Sequence, residues 1–339
     1  MSSIAYDVSG SESGGESIVN ESSRLGAGVL LAVVSAFTFG MSGSFASALF
    51  EAGWSPGATT LVRSAIGALV ALPFGLRALA GRWRLLRANA GLLAAYGLLA
   101  VTGAQFCYFM AVQRMEVGPA LLIEYTAPAT VVVWMWLRHG QRPGLVTVLG
   151  AVLAAAGLVL VLDLLGGPSL NLAGAAWALL AMVGAATYFI VNADDSSGLP
   201  PVTLAAGGLV VGTLAVAVLA VVGILPMSAT TDDVVLRGQE LPWWLPILAL
   251  GVITSGLAYL TGVAAGRLLG ARLGAFIALL EVVAGVFFAW LFVAQLPTAM
   301  QLVGGGLILA GVVAVKLGEA PQGRPDATTD PVVGRTPHG

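Results

Sequence analysis

Charge is what this sequence has least of. Asp, Glu, Lys and Arg make up 9% of its 339 residues, against about 25% in a soluble domain. That leaves too little polar surface to face water on all sides, so a water-soluble globular fold is excluded. Lysine occurs once, as Lys316. A Walker A phosphate loop needs Gly-Lys-Ser or Gly-Lys-Thr, so no nucleotide motor is encoded and any transport is secondary. The one cysteine, Cys107, builds neither a disulfide framework nor a thiolate metal site. The two histidines, His139 and His338, fall in a loop and in the tail, so no metal centre and no cofactor is expected. No basic patch points to nucleic acid.

What is present is apolar length. Hydrophobic residues make up 58% of the chain, with a mean hydropathy of +0.93. A spanning helix needs about 20 mostly apolar residues. Division at Pro, Gly and charge clusters gives ten candidates, at 26–48, 57–77, 90–111, 118–138, 144–164, 170–191, 202–225, 243–265, 271–294 and 299–317. The Ser-, Gly- and Glu-rich residues 1–24 and the residues 318–339 lack such runs and read as disordered tails. The first of them also lacks the positive start of a secretory signal.

Charge sorting supports this count. With both termini in the cytoplasm, twelve basic residues fall on the inner side and only Arg114 and Arg237 on the outer, with Arg63 inside the second span. The chain also repeats. Shifting 128–161 by 154 positions onto 282–315 pairs Trp136 with Trp290, Gln141 with Gln295, Pro143 with Pro297, Gly150 with Gly304 and Gly157 with Gly311. Two units follow, 25–165 and 166–317. Five spans is an odd number, so the second unit enters the membrane from the opposite side. The expected fold is all-α, with ten transmembrane helices in two inverted five-helix repeats. Such repeats are the architecture of many secondary transporters, with the substrate near midplane between the halves.

Three charge-bearing residues lie well within the spans, away from their ends: Arg63, Glu124 and Glu281. A charge at a helix centre costs at least ~2.5–3.5 kcal/mol, so each is expected to face a cavity or a partner. Arg63 and Glu124 both sit roughly 9 Å below the outer surface, at 1.5 Å per residue. They fit either a structural salt bridge or a functional pair. Gln105 and Tyr108 fall in the same layer, Tyr125 and Thr126 add hydroxyls beside Glu124, and Tyr188 and Tyr259 are further candidates for the cavity wall. Glu281, near the middle of the ninth span with no cation at its depth, suits proton coupling, and so does Glu124; a structural hydrogen bond is the plainer reading for Glu281. Pro128, one turn after Glu124, frees that residue's carbonyl and kinks the helix.

These residues and spans resemble the EamA branch of the drug/metabolite transporter superfamily, over about 25–317. "GPALLIEYTAP" in the fourth span is similar to the Leu-Glu-Phe-Thr-Gly-Pro signature of the threonine/homoserine exporter subgroup, carried here by Glu124, Tyr125, Thr126 and Pro128. "ALLEVV" places Glu281 on the family's Leu-Glu-Pro acid, although Val282 replaces the proline. Gln141 and Gln295 stand where the family has acids, and Arg63 matches an arginine common in the second span. The resemblance implies proton-coupled efflux of amino acids or related metabolites through a central cavity. The expected setting is the bacterial cytoplasmic (inner) membrane, and the expected partners are a small-molecule substrate, protons and the bilayer, for a monomer or homodimer. The alternatives are import of a nucleobase, sugar or carboxylate on the same fold, or a membrane enzyme or scaffold. An enzyme would show a clustered His/Asp/Arg site near a membrane face, and no such cluster is visible, so the chain reads as a non-enzyme.

Overall fold

The computed structural model describes residues 12–127, 144–161, 171–194 and 196–318. Helices dominate it. Among the described residues, six stretches are long and apolar enough to cross a membrane: Arg24–Glu51, Pro56–Leu79, Ala90–Val112, Leu172–Asn192, Pro201–Val221 and Trp244–Leu269. Shorter apolar helices cover Leu145–Val161, Leu280–Val293 and Ala299–Val315. Large side chains point outward along these helices, Leu69 at 71% exposure and Leu145 at 75% among them. In water such a surface would drive aggregation; in a bilayer it is the solvent-facing surface. This is an all-α membrane protein.

In chain order the helices are α1 (Glu12–Gly40), α2 (Ser42–Glu51), α3 (Pro56–Leu79), α4 (Trp83–Ala88), α5 (Ala90–Ala95) and, after a π-helix at Tyr96–Gly103, α6 (Ala104–Val112). They continue as α7 (Val117–Glu124), α8 (Leu145–Val161), α9 (Leu172–Ala193) and α10 (Pro201–Val221). After a hairpin come α11 (Trp244–Gly251), a second π-helix (Val252–Leu257), α12 (Ala258–Ala278), α13 (Leu280–Val293) and α14 (Ala299–Gly318).

Four departures from the sequence reading matter. Helix α1 starts at Glu12, so the second half of the stretch read as a disordered tail is helical. The first span is broken at Met41, between α1 and α2, where Gly40 lies so close to α13 that a Cβ would meet that of Ala284 at 2.7 Å. No loop separates 265 from 271: α12 runs on to Ala278. Leu, Ala and Arg are good helix formers, so the arginines there mark a membrane boundary and not a helix end. Glu281 therefore stands in the first turn of α13, not at mid-helix. Similarly, Glu124 is the last residue of α7. Pro128 and its kink lie outside the described residues, as do Gln141 and Trp136.

The loop between α10 and α11 carries a small hairpin, an addition to the all-helical expectation. Strands β1 (Val234–Leu236) and β2 (Gln239–Leu241) pair antiparallel with Val234 opposite Leu241. Arg237 and Gly238 have φ of 50° and 77°, which a two-residue turn matched to strand twist requires. Val234 and Leu236 are buried, and the Arg237 guanidinium lies 5.4 Å from the Trp290 ring centre. The same loop is tied to the start of α3. Ser55 N–H donates to the Ser228 carbonyl (2.9 Å), Ser228 N–H donates to Ser55 Oγ (3.0 Å), and Trp54 Nε1 donates to the Thr230 carbonyl (3.1 Å). Ser55 Oγ also caps α3 by accepting from Ala58 N–H at 3.2 Å. Ser55→Ala is expected to cost about 0.5–2 kcal/mol, read as a lower thermal unfolding midpoint in detergent.

At the other end of the bundle, Asp194 follows α9. Hydrogen bonds from Ser196 N–H and Oγ hold its carboxyl below the usual carboxylate range.

Helices α8 and α14 pack closely along their length, and glycine makes it possible. A Cβ at Gly150 would sit 2.7 Å from the Gly311 carbonyl oxygen, and one at Gly157 would sit 2.5 Å from that of Gly304. Backbone meets backbone here, as small residues allow in a membrane where burial between helices brings no hydrophobic gain.

Candidate functional site

A cavity of about 120 Å³ lies between α1, α6, α7, α9, α12 and α13. One water needs ~10–15 Å³ of such space, so the cavity has room for several waters or a small metabolite. Its polar lining includes Ser35, Gln105, Glu124, Tyr125, Asn192 and Glu281. Tyr188 and Tyr259 stand in the same wall, with Phe39 edge-on to Tyr259 at 4.9 Å between ring centres. Much of the remaining wall is alanine.

Two interrupted helices bring the carboxyls together. Glu124 enters at the end of α7, and Glu281 enters in the first turn of α13, where free backbone N–H groups favour negative charge. Tyr125 Oη donates a hydrogen bond to Glu281 Oε2, so the residue after the first acid holds the second. Glu124 is 7% exposed and faces the cavity. No Lys or Arg is among the described lining residues.

Some polar atoms in this wall are unsatisfied. Among the described residues, Gln105 Oε1 and Asn192 Nδ2 are buried and have no hydrogen-bond partner, although Asn192 Oδ1 accepts from Tyr96 Oη at 3.2 Å. A buried polar atom without a partner in a cavity is one that a ligand or water can satisfy.

Arg63 does not line the cavity but stands behind Tyr259 in its wall. It is fully buried, and its Nε and Nη2 donate to Thr254 Oγ1 (3.3 Å) and the Thr254 carbonyl (2.6 Å). Among the described residues no carboxylate lies within 4.0 Å of it, so the direct pair with Glu124 is not formed. The two share a depth but stand on different helices, and equal depth is not proximity. Tyr108 is buried against Phe109, its hydroxyl unpartnered. Thr126 turns its hydroxyl back to the Ile123 carbonyl at 2.7 Å. Neither Tyr108 nor Thr126 lines the cavity.

Three segments, α1–α2, α6 and α7, show one order along the bundle. Cavity residues Phe39, Gln105 and Glu124 are followed or preceded by buried Phe45, Phe109 and Leu121, and then by Ser47, Gln113 and Glu116. That last set lines a second cleft at the hairpin end, with Glu51, Arg114 and Gln295. A packed plug thus stands between the cavity and the second cleft.

The sequence profile of the EamA-like transporter family matches residues 26–163 and again 172–317. The chain belongs to that family. An EamA-like membrane transporter is also what its relatives indicate. The threonine/homoserine exporter RhtA of Salmonella typhimurium (strain SL1344) is 30% identical over 297 residues, 86% of this chain and 89% of the relative. The Escherichia coli K12 protein of the same name is 28% identical over 274 residues, 79% of this chain and 83% of the relative. An uncharacterized transporter of Archaeoglobus fulgidus is 26% identical over 286 residues, 84% of this chain and 92% of the relative. A solved crystal structure of a protein shares the fold, with a TM-score of 0.56 at 21% identity, over 88% of this chain and 98% of the other.

In this EamA-like chain the residues singled out from sequence divide in two. Glu124, Tyr125, Gln105, Tyr188, Tyr259 and Glu281 share the cavity. Arg63, Tyr108 and Thr126 pack beside it. Ser35 and Asn192 were missed, although a lone hydroxyl or amide in an apolar run was the available signal.

Proposed function

We propose that this chain is a proton-coupled secondary exporter of amino acids or related small metabolites, working by alternating access in a bacterial cytoplasmic membrane. The observation that carries this reading is the meeting of two carboxyls from two interrupted helices in one small cavity without a lining cation. Glu124 holds in turn a proton and the substrate's ammonium group, and Glu281, held by Tyr125, is the second proton-coupling carboxyl. Gln105 and Asn192 offer an acceptor and a donor to the substrate's polar groups. The substrate class is brought by the relatives named as threonine/homoserine exporters.

The same reading has ten helices in two inverted repeats. Support comes from the two family matches along one chain and from the glycine contacts. Gly150 and Gly304 are paired by the sequence repeat, as are Gly157 and Gly311. In space the partners are exchanged: Gly150 meets Gly311, and Gly157 meets Gly304. Exchange of partners is what a two-fold axis between antiparallel helices produces. With both termini cytoplasmic, as the arginine distribution favours, the cavity faces the cytoplasm and the plug closes the outside. The plug holds unpartnered hydroxyls, Ser42, Ser44 and Tyr108 among them. A layer so built can hydrate when it opens.

The test is counterflow of labelled amino acids, threonine and homoserine included, in proteoliposomes with an imposed pH gradient. Saturable, proton-driven flux is expected for at least one of them. Flux absent for every amino acid would overturn the substrate class, and flux indifferent to the gradient would overturn the coupling.

A further inference from the structure

The two π-helices are neither random nor independent. The 154-residue shift that aligns 128–161 with 282–315 also carries 96–103 onto 250–257, and the second π-helix, 252–257, lies inside that range. The shift pairs Gly97 with Gly251, Ala104 with Ala258 and Gln105 with Tyr259. Widened turns are uncommon in helices and cluster at functional sites. Here they recur at matched places in the two halves.

Their neighbours are matched as well. The first π-helix packs on α10 and the second packs on α3, while α3 and α10 pack on each other. Each thus rests on the other half. The hydrogen bonds follow the same rule. Arg63, from the first half, donates to the Thr254 carbonyl of the second π-helix. Tyr259, from the second half, donates to the Val101 carbonyl of the first π-helix at 3.4 Å. A π turn alters the i to i−4 ladder, and carbonyls so released need new donors.

We propose that the two π-helices are paired hinges and that Arg63 and Tyr259 latch them across the halves, holding the protein in the state with the cavity open and the plug closed. Opening the plug requires the two bonds to part together, because each half holds the other's hinge. Tyr259 is then a positioning residue as well as part of the cavity wall. Arg63 has its role without touching substrate, which accounts for a fully buried guanidinium with no carboxylate beside it.

This inference rests on the two-half, alternating-access reading, but its test needs no substrate, so a failed flux assay and a failed latch are separate results. In a Cys107→Ser background, Ala185→Cys reports the cavity and Ser47→Cys reports the cleft, each labelled by a membrane-impermeant maleimide from its own side in oriented vesicles. Tyr259→Phe keeps the ring and removes one latch. Loss of one hydrogen bond is expected to lower labelling at 185 and raise it at 47, so that the ratio of the two rates changes by about 2- to 10-fold. Deletion of Ile253, which shortens the second π-helix by one residue, is expected to shift both rates in the same opposed directions. Should the deletion fail to fold, Tyr259→Phe decides alone. Rates that stay unchanged in Tyr259→Phe, or that rise together at both positions as general loosening would make them, overturn the latch.

Discussion

Glu124→Gln is expected to abolish proton-driven flux while leaving the protein folded. Glutamine keeps the shape of the side chain and its acceptor oxygen but can neither hold nor release a proton at working pH. A hydrogen bond to a charged group is worth about 1.5–3 kcal/mol, so substrate affinity should fall roughly 10- to 150-fold. Binding and flux are to be measured apart, by calorimetry and by counterflow with and without a pH gradient. Weakened binding with residual exchange that ignores pH is the expected pattern. Unchanged pH dependence would remove Glu124 from the coupling path. Glu281→Gln is the companion: it should spare exchange more than Glu124→Gln does, because Glu281 is already held by Tyr125, and should still lose the response to the gradient.

The second large effect is on stability. Gly157→Val puts a branched side chain where even a Cβ would meet the Gly304 carbonyl at 2.5 Å and the Ile308 nitrogen at 2.8 Å. Both neighbours are backbone, so nothing can rotate away and α8 must separate from α14. Overpacking typically costs about 1–3 kcal/mol, and separation along a whole glycine-lined face should reach the top of that range. Thermal unfolding followed by size-exclusion chromatography in detergent reads the effect. Gly306→Val, on the same α14 but with open space around its Cβ position, is the control and should unfold near wild type.

Much of this fold was legible because a bilayer simplifies the code. Helices must satisfy their own backbone, so apolar length marks them, and arginine position marks their ends. The acids were legible for the same reason: Glu124 and Glu281 stand out in apolar runs, and both line the cavity. What the sequence concealed was interruption. Nothing in "LLIEYTA" or "IALLEVV" signals that one helix ends at its glutamate and another begins around its own, since Leu, Ile and Val fit either side of a break. The arginines at 267 and 272 suggested a loop that the continuous helix α12 replaces, because membrane exit and helix end are different events. Arg63 illustrates a third limit. Depth along a helix is readable from sequence, but azimuth is not, and a guanidinium at the level of Glu124 turns instead to the Thr254 carbonyl. The π-helices were invisible for a related reason: their residues are ordinary, and the extra width belongs to the backbone.

The alanine in the cavity wall sets a direction for change. Ala32, Ala36, Ala100, Ala104, Ala185 and Ala265 all face the space in which the carboxyls meet. Among residues with a side chain, alanine has the smallest, so at these positions there is almost nothing left to trim, and the large side chains left in the wall are the aromatics Phe39, Tyr188, Phe189 and Tyr259. Substitution at any of these sites by anything but glycine subtracts volume. Ligand choice can therefore be narrowed one methyl at a time at the alanines without disturbing the acids, whereas room for a bulkier cargo has to come from the aromatic side of the wall or from wider helix spacing.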